Sequence, residues 1–408
     1  MVRKQNPAYR LVTFLIAYLL IKMLNVRFCI PFLLLSFLSG CIVTQKNVKN
    51  HTLSELNISK LKFLDEYEIP YNTHFQNTWV GGLSGIDYDP KTDHYFIISD
   101  ERSASSASRF YTAAIDINNY KIDSVRFLSV HLLKKPNNDT FEALKITPEK
   151  AADPESIRYN RKTQSLVWSS EGDKLKRNDR MVLQNPWIYE MDLNGTFRDS
   201  FLLPANIQMH LSDNGARENA TLEGISFSSD FKNLWASMEG PIYEDGPLAI
   251  VTYAGAPVRF TKFDVVSKKP ISQFGYQLDA VAEKPVPETA FSVNGISESL
   301  NIGGDRFLVL ERSFSTGKTS CVIKIYLADF SGASNVLNAK SLYQNKNYRP
   351  AKKDLLFNLS SLNRYIDNVE GITIGPTLSN GHQSILLIAD NNFKVFEKQQ
   401  VFLFEIIP

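Results

Sequence analysis

Apolar and polar residues alternate along this chain in short runs, which is the pattern of half-buried β-strands. One stretch begins with the alternating run 155–159, continues through a polar turn, and reaches a second run at 165–170. A third run covers 187–193, Asn194-Gly195 marks a hairpin turn, and a fourth run ends at Pro204. The pattern predicts four consecutive antiparallel strands, with no amphipathic helix between them.

A related pattern recurs five times along the chain. Each copy opens one strand with a short motif of a polar residue (Ser, Glu or Asn), Gly or Ser, and an apolar residue, and closes the next strand with a carboxylate. The copies are Leu83-Ser84-Gly85-Ile86 to Asp100, Pro154-Glu155-Ser156-Ile157 to Glu171, Leu222-Glu223-Gly224-Ile225 to Glu239, Val293-Asn294-Gly295-Ile296 to Glu311, and Val369-Glu370-Gly371-Ile372 to Asp390. Repeats of this length are typical of propellers and solenoids. We therefore expect an all-β fold, a β-propeller of five four-stranded blades. A sixth blade within 240–290 or 330–365, and a tandem of open β-sandwiches, are the alternatives.

The ends of the chain indicate how such a ring would close. The last repeat contains three strands, at 370–374, 384–389 and 401–407. The run 61–70 resembles the fourth strand of the second repeat, including its final proline. We predict that this N-terminal strand pairs into the last blade, because ring closure removes the free sheet edges that β-proteins must protect.

The first forty residues have the pattern of an export signal. An apolar run at 28–38 follows Arg27 and ends in Leu38-Ser39-Gly40-Cys41, which resembles a bacterial lipobox. We predict a signal peptide over 1–41 with lipidation at Cys41, a polar tether over 42–55, and the propeller over 56–408. Met23 is an alternative start, and an uncleaved membrane anchor is an alternative to the lipoprotein.

Either reading of the N-terminus attaches the propeller to a membrane, on the outside of the cytoplasm. Ile42, rather than an aspartate, follows the cysteine, which favours the outer membrane of the bacterial envelope. The formal net charge of +2 and the lack of basic runs argue against nucleic acid as a partner. Cys321 is the one cysteine after the signal, so neither a disulfide framework nor zinc spacing is present. We expect a monomer.

Acidic residues occupy the repeated positions that should meet at one end of the ring. In a blade the first strand and the second run antiparallel, so the residues that open the first and close the second lie at the same mouth. The carboxylates predicted at this mouth are Asp100, Glu155, Glu171, Glu223, Glu239, Glu311, Glu370 and Asp390. Crowded carboxylates require cations or raised pKa values. Ca²⁺, which takes six to eight oxygen ligands, is favoured over zinc, and Asp153, Asn391 and Asn392 would add oxygens. The alternative is that these acids hold turns shut by accepting backbone N–H groups of the next blade.

Catalytic roles can be assigned to part of this set. Glu155, Glu171, Glu223 and Glu239 are the candidate general bases, and His210, in the loop 205–220, is a candidate general acid or base. Arg102 and Arg312 adjoin predicted mouth acids and could bind a substrate anion, because a forked guanidinium matches phosphate or carboxylate. No Gly-X-Ser-X-Gly elbow for a nucleophilic serine is present.

The motifs together resemble a known family. The residues that carry the resemblance are Gly81-Gly82-Leu83-Ser84-Gly85-Ile86, Asp153-Pro154-Glu155-Ser156-Ile157, Leu222-Glu223-Gly224-Ile225, Leu310-Glu311-Arg312, Asn368-Val369-Glu370-Gly371-Ile372 and Ala389-Asp390-Asn391-Asn392-Phe393. They are similar to the phytase-like family, described as "esterase-like activity of phytase", over nearly all of residues 60–408. Ser156 stands where that family usually has glycine.

The resemblance implies a secreted or periplasmic propeller and a metal-assisted phosphoester or ester hydrolase. In β-propeller phytases, calcium ions at one mouth neutralise acidic residues, bind phosphate and activate water. We therefore expect a lipid-anchored hydrolase acting on a small anionic ester. Two alternatives stay open: a non-enzymatic envelope propeller that binds a ligand or partner protein, and a lactonase-type propeller with one calcium on the axis.

Overall fold

The computed structural model describes residues 55–177 and 180–408. The predicted signal peptide, Cys41 and residues 42–54 of the predicted tether lie outside the described residues. No helix in the described ranges is long and apolar enough to cross a membrane. The chain there forms β-strands joined by loops and by short 3-10 turns, which are Pro148–Lys150, Ala205–Ile207, Tyr243–Asp245 and Leu359–Leu362.

The strands are named in chain order and grouped by blade. Three strands precede the first blade: β1 (Lys60–Ile69), β2 (His74–Phe75) and β3 (Thr78–Trp79). Blade 1 contains β4 (Leu83–Asp89), β5 (His94–Ser99), β6 (Arg109–Asn118) and β7 (Lys121–Leu132). Blade 2 contains β8 (Pro154–Asn160) and β9 (Ser165–Ser170), then a separate hairpin of β10 (Asp173–Arg177) and β11 (Arg180–Gln184), and finally β12 (Trp187–Met191) and β13 (Phe197–Ser200).

The remaining blades are uninterrupted. Blade 3 contains β14 (Leu222–Phe227), β15 (Asn233–Met238), β16 (Val258–Asp264) and β17 (Pro270–Tyr276). Blade 4 contains β18 (Ser292–Asn301), β19 (Arg306–Ser315), β20 (Val322–Asp329) and β21 (Lys352–Asn358). Blade 5 contains β22 (Asn368–Thr377), β23 (Gln383–Asp390) and β24 (Gln399–Ile407), and β1 is its fourth strand.

The ring closes as the sequence predicts. β1 pairs antiparallel with β24, from Lys60 opposite Ile407 to Ile69 opposite Gln399. The innermost strands then contact one another around a circle, because β4 packs on β8 and β22, β14 packs on β8 and β18, and β18 packs on β22. The prediction of an all-β propeller of five four-stranded blades is confirmed for the described residues. The segments 240–290 and 330–365 hold the outer strands and loops of blades 3 and 4 rather than a sixth blade.

Hydrophobic packing between neighbouring blades holds the ring together. The described residues contain five hydrophobic clusters, and each joins the strands of two adjacent blades. Between blades 1 and 2, for example, Phe96 and Ile98 pack with Leu166 and Trp168. Alternating residues of each strand point to opposite faces of its sheet, so one strand can supply two clusters. This arrangement explains why the alternating pattern runs through every repeat.

Each blade carries a β-bulge near the start of its innermost strand. The bulges fall between Leu83 and Gly85, Pro154 and Ile157, Leu222 and Ile225, Ile296 and Glu298, and Val369 and Gly371. A bulge inserts an extra residue and re-aims its side chain. The bulged positions, Ser84, Glu155, Glu223, Ser297 and Glu370, are therefore structurally equivalent.

The fourth blade departs from the sequence-based alignment. Its bulge lies at Ser297, directly after the predicted Val293-Asn294-Gly295-Ile296 motif, so Ser297 rather than Asn294 corresponds to Glu223 of blade 3. Ile296 pairs with Glu311 as Leu222 pairs with Met238, which makes Arg312 the counterpart of Glu239. Blade 4 thus places an arginine where the other four blades close with an acid.

Candidate functional site

Eight carboxylates form three groups, two of which share a residue, at the end of the ring where the innermost strands begin. The groups are Asp100 with Glu370 and Asp390, Asp153 with Glu155 and Glu171, and Glu171 with Glu223 and Glu239. Within each group, one oxygen from every carboxylate lies within 4.8 Å of the others. Glu171 links the second group to the third. The first group shares no residue with them, but Asp153 acts electrostatically on Asp100 and Glu370 acts on Glu155, so the eight acids are together called the acidic arc.

The fold explains why these side chains meet. Glu155, Glu223 and Glu370 occupy the bulged positions of blades 2, 3 and 5, while Glu171 and Glu239 directly follow the second strands of their blades. The two positions are adjacent across each antiparallel pair, and neighbouring blades bring successive pairs together. The sequence-based expectation that opening and closing acids converge is realised in blades 2, 3 and 5, and Asp100 joins from blade 1.

The acids of this arc are buried, which disfavours their ionised form. Glu171, Glu223, Glu239, Glu370 and Asp390 are all less than one-tenth exposed. Water stabilises a charged carboxylate much better than protein does, so loss of water is the largest cause that raises the pKa of each of these groups. The pKa rises to about 8 for Glu171 and Glu370 and to about 7 for Asp390.

The remaining acids of the arc behave in the same way. Desolvation raises the pKa of Asp153 to about 6, partly offset by the positive charge of Arg102. It also raises the pKa of Asp100 and of Glu155 well above the usual range, and neighbouring carboxylates add to both shifts. The arc therefore favours either protonation or bound cations at neutral pH.

Arg312 and Arg102 brace the arc from two sides. Arg312 donates to Glu239 Oε1 at 2.8 Å and to Glu370 Oε1 at 3.1 Å, which joins the second strand of blade 3 to the first strand of blade 5. Arg102 donates to Asp173 Oδ2 at 2.6 Å and lies 3.4 Å from Asp153 Oδ2. Both guanidinium groups are therefore engaged by carboxylates, rather than held free for a substrate.

Some of the acids also have structural partners. Glu171 Oε1 accepts from the backbone N–H of Thr221 at 2.8 Å, which ties blade 2 to the start of blade 3. Asp390 Oδ1 accepts from the N–H of Asn392 at 2.7 Å and shapes the loop after β23. For these two residues the turn-holding alternative is correct in part, although both carboxylates also belong to the clustered groups.

Other oxygens of the arc have no hydrogen-bond partner among the described residues. Glu370 Oε2 is buried without one, and no described donor reaches the carboxylates of Asp100, Glu155 or Glu223. A buried acceptor without a partner costs about 1–3 kcal/mol, and more when it is charged. An ion that supplies the missing interactions would remove this cost.

Glu311 does not belong to the arc, and the sequence-based expectation that it completes the ring is wrong. Its side chain points toward outer strands, where it accepts from Tyr276 Oη at 2.8 Å and from Lys353 Nζ at 2.5 Å. It also accepts from Asn294 Nδ2 at 3.0 Å. The reason is that the closing position of blade 4 lies one residue later than predicted, at Arg312, and successive residues of a strand face opposite sides. Asp153, just before β8, provides the eighth carboxylate instead.

His210 lies in the loop before β14 and is half-buried. A Cβ built on Gly215 would lie 2.9 Å from its Cδ2 atom, so the ring packs against this glycine. No hydrogen bond joins His210 to the acidic arc within the described residues. The geometry gives no support to its proposed role in proton transfer.

An ion pair below the arc was not anticipated from the sequence. Arg158, on β8, reaches across the channel and donates to the carbonyl oxygens of Ile225 at 2.7 Å and Ile86 at 2.6 Å, which belong to blades 3 and 1. It also lies 2.9 Å from Glu298 of blade 4, and both side chains are at most 2 % exposed. Burial raises the pKa of Glu298 to about 7. The sequence does contain one signal for this pair, which is a charged residue at a channel-facing position in each of two innermost strands.

Glu298 connects this ion pair to the acidic arc. Its Oε2 accepts from Ser156 Oγ at 2.6 Å, and Ser156 directly follows the arc residue Glu155. The Arg158 guanidinium fills the centre of the ring at this depth. A cation on the axis at this depth would meet the positive charge of Arg158, whereas the three carboxylate groups lie at the mouth.

The chain matches the model of the phytase-like family, described as "Esterase-like activity of phytase", over residues 78–393. No curated protein matches the chain. Among solved structures, an endo-arabinase from Bacteroides thetaiotaomicron is 11% identical with a TM-score of 0.41, covering 84% of this chain and 97% of that one. An α-L-arabinofuranosidase from Lactobacillus brevis is 10% identical with a TM-score of 0.41, covering 81% and 92%. A periplasmic gluconolactonase from Pseudomonas aeruginosa is 8% identical with a TM-score of 0.33, covering 81% and 87%.

Structural likeness at this level says nothing about activity, but the family model spans more than three-quarters of the chain, and its range includes the strands that carry the arc. The protein belongs to the phytase-like family.

Proposed function

We propose that the acidic arc binds calcium and that the mouth hydrolyses a small anionic ester, most simply a phosphoester. The observation that carries this proposal is the charge imbalance of the arc. In the described part of the chain, eight buried or half-buried carboxylates face the guanidinium groups of Arg102 and Arg312. Membership of the phytase-like family supports a hydrolase and leaves the substrate open.

The donor set fits calcium. The clustered ligands are carboxylate oxygens, and no histidine or cysteine belongs to the three groups found in the described residues. Ca²⁺ binds oxygen ligands at about 2.3–2.6 Å, so two ligands of one ion lie at most about 5 Å apart. The 4.8 Å limit within each group meets this condition. The unpartnered Glu370 Oε2 supplies a buried acceptor for such an ion.

Bound calcium, the two arginines and the carboxylates would have different roles in hydrolysis. Bound calcium would act as a Lewis acid toward the ester oxygens and would lower the pKa of a coordinated water. Because Arg102 and Arg312 are engaged by carboxylates, their main contribution is to hold Asp153, Glu239 and Glu370 in place. A carboxylate of the arc that coordinates no ion would act as the general base toward the attacking water.

We further propose that the protein is a lipid-anchored monomer of the bacterial envelope, with Cys41 as the acylated residue and the outer membrane as the favoured location. The lipobox-like sequence before Cys41 supports this. Mass spectrometry of the N-terminal peptide from membrane fractions tests it. An unmodified Cys41, or a chain that keeps residues before it, would contradict the lipoprotein assignment.

Turnover assays test the hydrolase proposal. The purified protein would be assayed on p-nitrophenyl phosphate, inositol hexakisphosphate and p-nitrophenyl acetate, with calcium and with chelator. We expect calcium-dependent hydrolysis of an anionic ester and its loss in Glu223→Gln/Glu239→Gln, with Glu68→Gln, an exposed surface acid, as the control. Calcium binding without turnover on any ester would favour the non-enzymatic alternative.

A further inference from the structure

A second concave site lies beside the acidic arc, on the outer part of blade 2. It is a cavity of about 560 Å³, and its aromatic lining comes from Phe141, Trp187 and Tyr189. Ligand-binding cavities in proteins commonly measure about 300–1,000 Å³ and combine aromatic walls with a few polar groups. Lys135, Glu142 and Lys150 supply the charged part of the rim.

The aromatic rings form an ordered surface. Phe141 and Trp187 are nearly parallel, with ring centroids 5.9 Å apart and an interplanar angle of 7°. Tyr189 extends this surface, with its centroid 5.5 Å from that of Trp187. Trp168, which is 1% exposed, stands edge-on to all three rings and fixes their positions from beneath. The half-buried Trp187 and Tyr189 thus present rigid, partly exposed ring surface to the cavity.

The charged rim is balanced and loosely paired. Glu142 Oε1 lies 3.5 Å from Lys135 Nζ and 3.3 Å from Lys150 Nζ, which are long distances for charge-assisted hydrogen bonds. The Glu142 side chain is 36% exposed. Asp139, also on the rim, balances the second lysine, so these four side chains carry no net charge. They offer both donors and an acceptor without selecting a charged ligand.

The loop that forms one wall is held in shape by the fold. Lys134 and Thr140 form a β-bridge, Lys135 N–H donates to the carbonyl of Asp139 at 2.8 Å, and Asn138 occupies the left-handed region with a φ of 68°. On the opposite side, Gln184 Nε2 donates to the carbonyl of Ala151 at 3.1 Å. A site with rigid walls needs little ordering when a ligand binds.

We propose that this cavity binds a neutral sugar ring. A pyranose has apolar C–H groups on its faces and hydroxyl groups around its edge. Its faces match the surface of Trp187 and Tyr189, and its hydroxyls match the mixed donors and acceptors of the rim. A charged ligand would gain little from a rim whose charges cancel, and a purely apolar ligand would leave the rim groups without partners.

The cavity is separate from the acidic arc but next to it. Lys150 lines the cavity and Asp153, three residues later, belongs to the arc. Gln184 lines the cavity and lies opposite Asp173, the partner of Arg102, in the β10–β11 hairpin. Sugar binding here does not depend on calcium or on turnover at the arc, so it can be tested apart from the proposed hydrolase activity.

Binding to the purified protein would be measured by calorimetry and by tryptophan fluorescence. The probes are methyl β-glucoside, methyl β-galactoside, N-acetylglucosamine and cellobiose, with benzyl alcohol as an aromatic probe that lacks the hydroxylated edge. We expect at least one sugar to bind with a Kd near about 1 mM, the range of a small, single-ring site. Binding should weaken at least about fivefold in Trp187→Leu and in Glu142→Ala, and stay unchanged in chelator.

Comparison of the variants distinguishes loss of the binding site from general disruption of the fold. Trp187→Leu could disturb packing against Trp168, whereas Glu142→Ala alters a half-buried rim residue with long ion-pair distances and should change the melting temperature little. Tyr343→Ala, which changes an exposed ring outside this cavity, is the matched control. The proposal is overturned if no sugar binds, if benzyl alcohol alone binds, or if sugar binding persists in both cavity variants.

Discussion

The Arg312 guanidinium donates to Glu239 Oε1 at 2.8 Å across the boundary between blades 4 and 3. Arg312 occupies the strand-end position that holds Glu239 in blade 3 and acids in the other blades, so one repeat has exchanged its carboxylate for a cation. It also contacts Glu370 of blade 5 at 3.1 Å. Blade 4 therefore supplies a fixed positive charge between the two ends of the acidic arc.

Replacing Arg312 by methionine should destabilise the protein by about 2–4 kcal/mol in chelator, because Glu239 and Glu370 would remain as buried carboxylates without a cation. Denaturant unfolding measures the change. Arg126→Met, which breaks the exposed pair with Asp116, is the control and should cost much less stability than Arg312→Met, because water screens exposed ion pairs. Equal effects of the two substitutions would show that Arg312 is not a structural counter-ion.

The stability of the chelated protein should fall as pH rises. Folded-state pKa values of about 8 for Glu171 and Glu370 exceed the ordinary carboxyl value, so the folded state binds more protons than the unfolded state between these limits. The stabilising contribution is complete below the unfolded pKa and is lost as pH rises through the folded pKa. From about pH 5 to about pH 9 the loss should exceed about 2 kcal/mol.

Calcium should remove most of this pH dependence, because a bound cation stabilises the ionised carboxylates. Melting curves across the pH range, with chelator and with calcium, measure both effects. A melting temperature in chelator that increases steadily from acid to alkaline pH would contradict the raised pKa values.

A neutral glutamine at position 223 should increase the stability of the protein in chelator and decrease the stabilisation that calcium provides. The Glu223 carboxylate is 6% exposed, and its burial and the neighbouring Glu239 and Glu171 raise its pKa. Glu223→Gln should stabilise the chelated protein at alkaline pH by about 1 kcal/mol, because it removes one repelling charge. It should also reduce the stabilisation that calcium gives. Glu68→Gln, at an exposed acid, should do neither.

Gly82 should tolerate no side chain. Its φ is +61°, a left-handed conformation, and a Cβ there would lie 2.2 Å from Asp100 Oδ1. Gly82→Ala should therefore destabilise the protein by more than about 1 kcal/mol and displace Asp100 from Glu370 and Asp390. Gly332→Ala is the matched control, since a Cβ at Gly332 meets no atom within 4 Å. A Gly82→Ala protein with unchanged stability and calcium affinity would argue against the positioning of Asp100 by this turn.

A double-mutant cycle measures how strongly Arg158 and Glu298 stabilise each other. Arg158→Leu should cost about 3–5 kcal/mol, because Glu298 would remain charged and buried without its partner. Arg158→Leu/Glu298→Leu should recover at least about 1 kcal/mol of this loss, since no unpaired charge would remain. Denaturant unfolding of the two single variants and the double variant provides the measurement. Additive losses would mean that the two residues do not stabilise each other.

The sequence predicted the blades well because each strand alternates around a buried face. The closure of the ring through β1 followed from one missing strand and one surplus strand. The acids of blades 2, 3 and 5 were also predicted, since opening and closing positions of an antiparallel pair must lie at the same end.

The sequence-based prediction failed in blade 4, where a difference of one residue in strand register decides which side chain faces the mouth. In blade 4, Asn294-Gly295-Ile296 resembles the motif of the other repeats, but the bulge lies at Ser297. The pattern therefore selected Glu311 where the fold places Arg312 inward. The pairing of Arg158 with Glu298 could not be read from one repeat, because it joins two innermost strands across the channel. Local periodicity carries no information about such contacts.

The most direct test of the account is calorimetric calcium titration of the purified protein, beside melting curves with and without chelator. The wild type and Glu223→Gln/Glu239→Gln would be compared. We predict calcium binding with a Kd in the micromolar range, a higher melting temperature with calcium, and weaker binding in the variant. No binding heat, with the wild type equally stable in chelator, would contradict a calcium-binding mouth and leave the acids as partners of Arg102, Arg312 and backbone N–H groups.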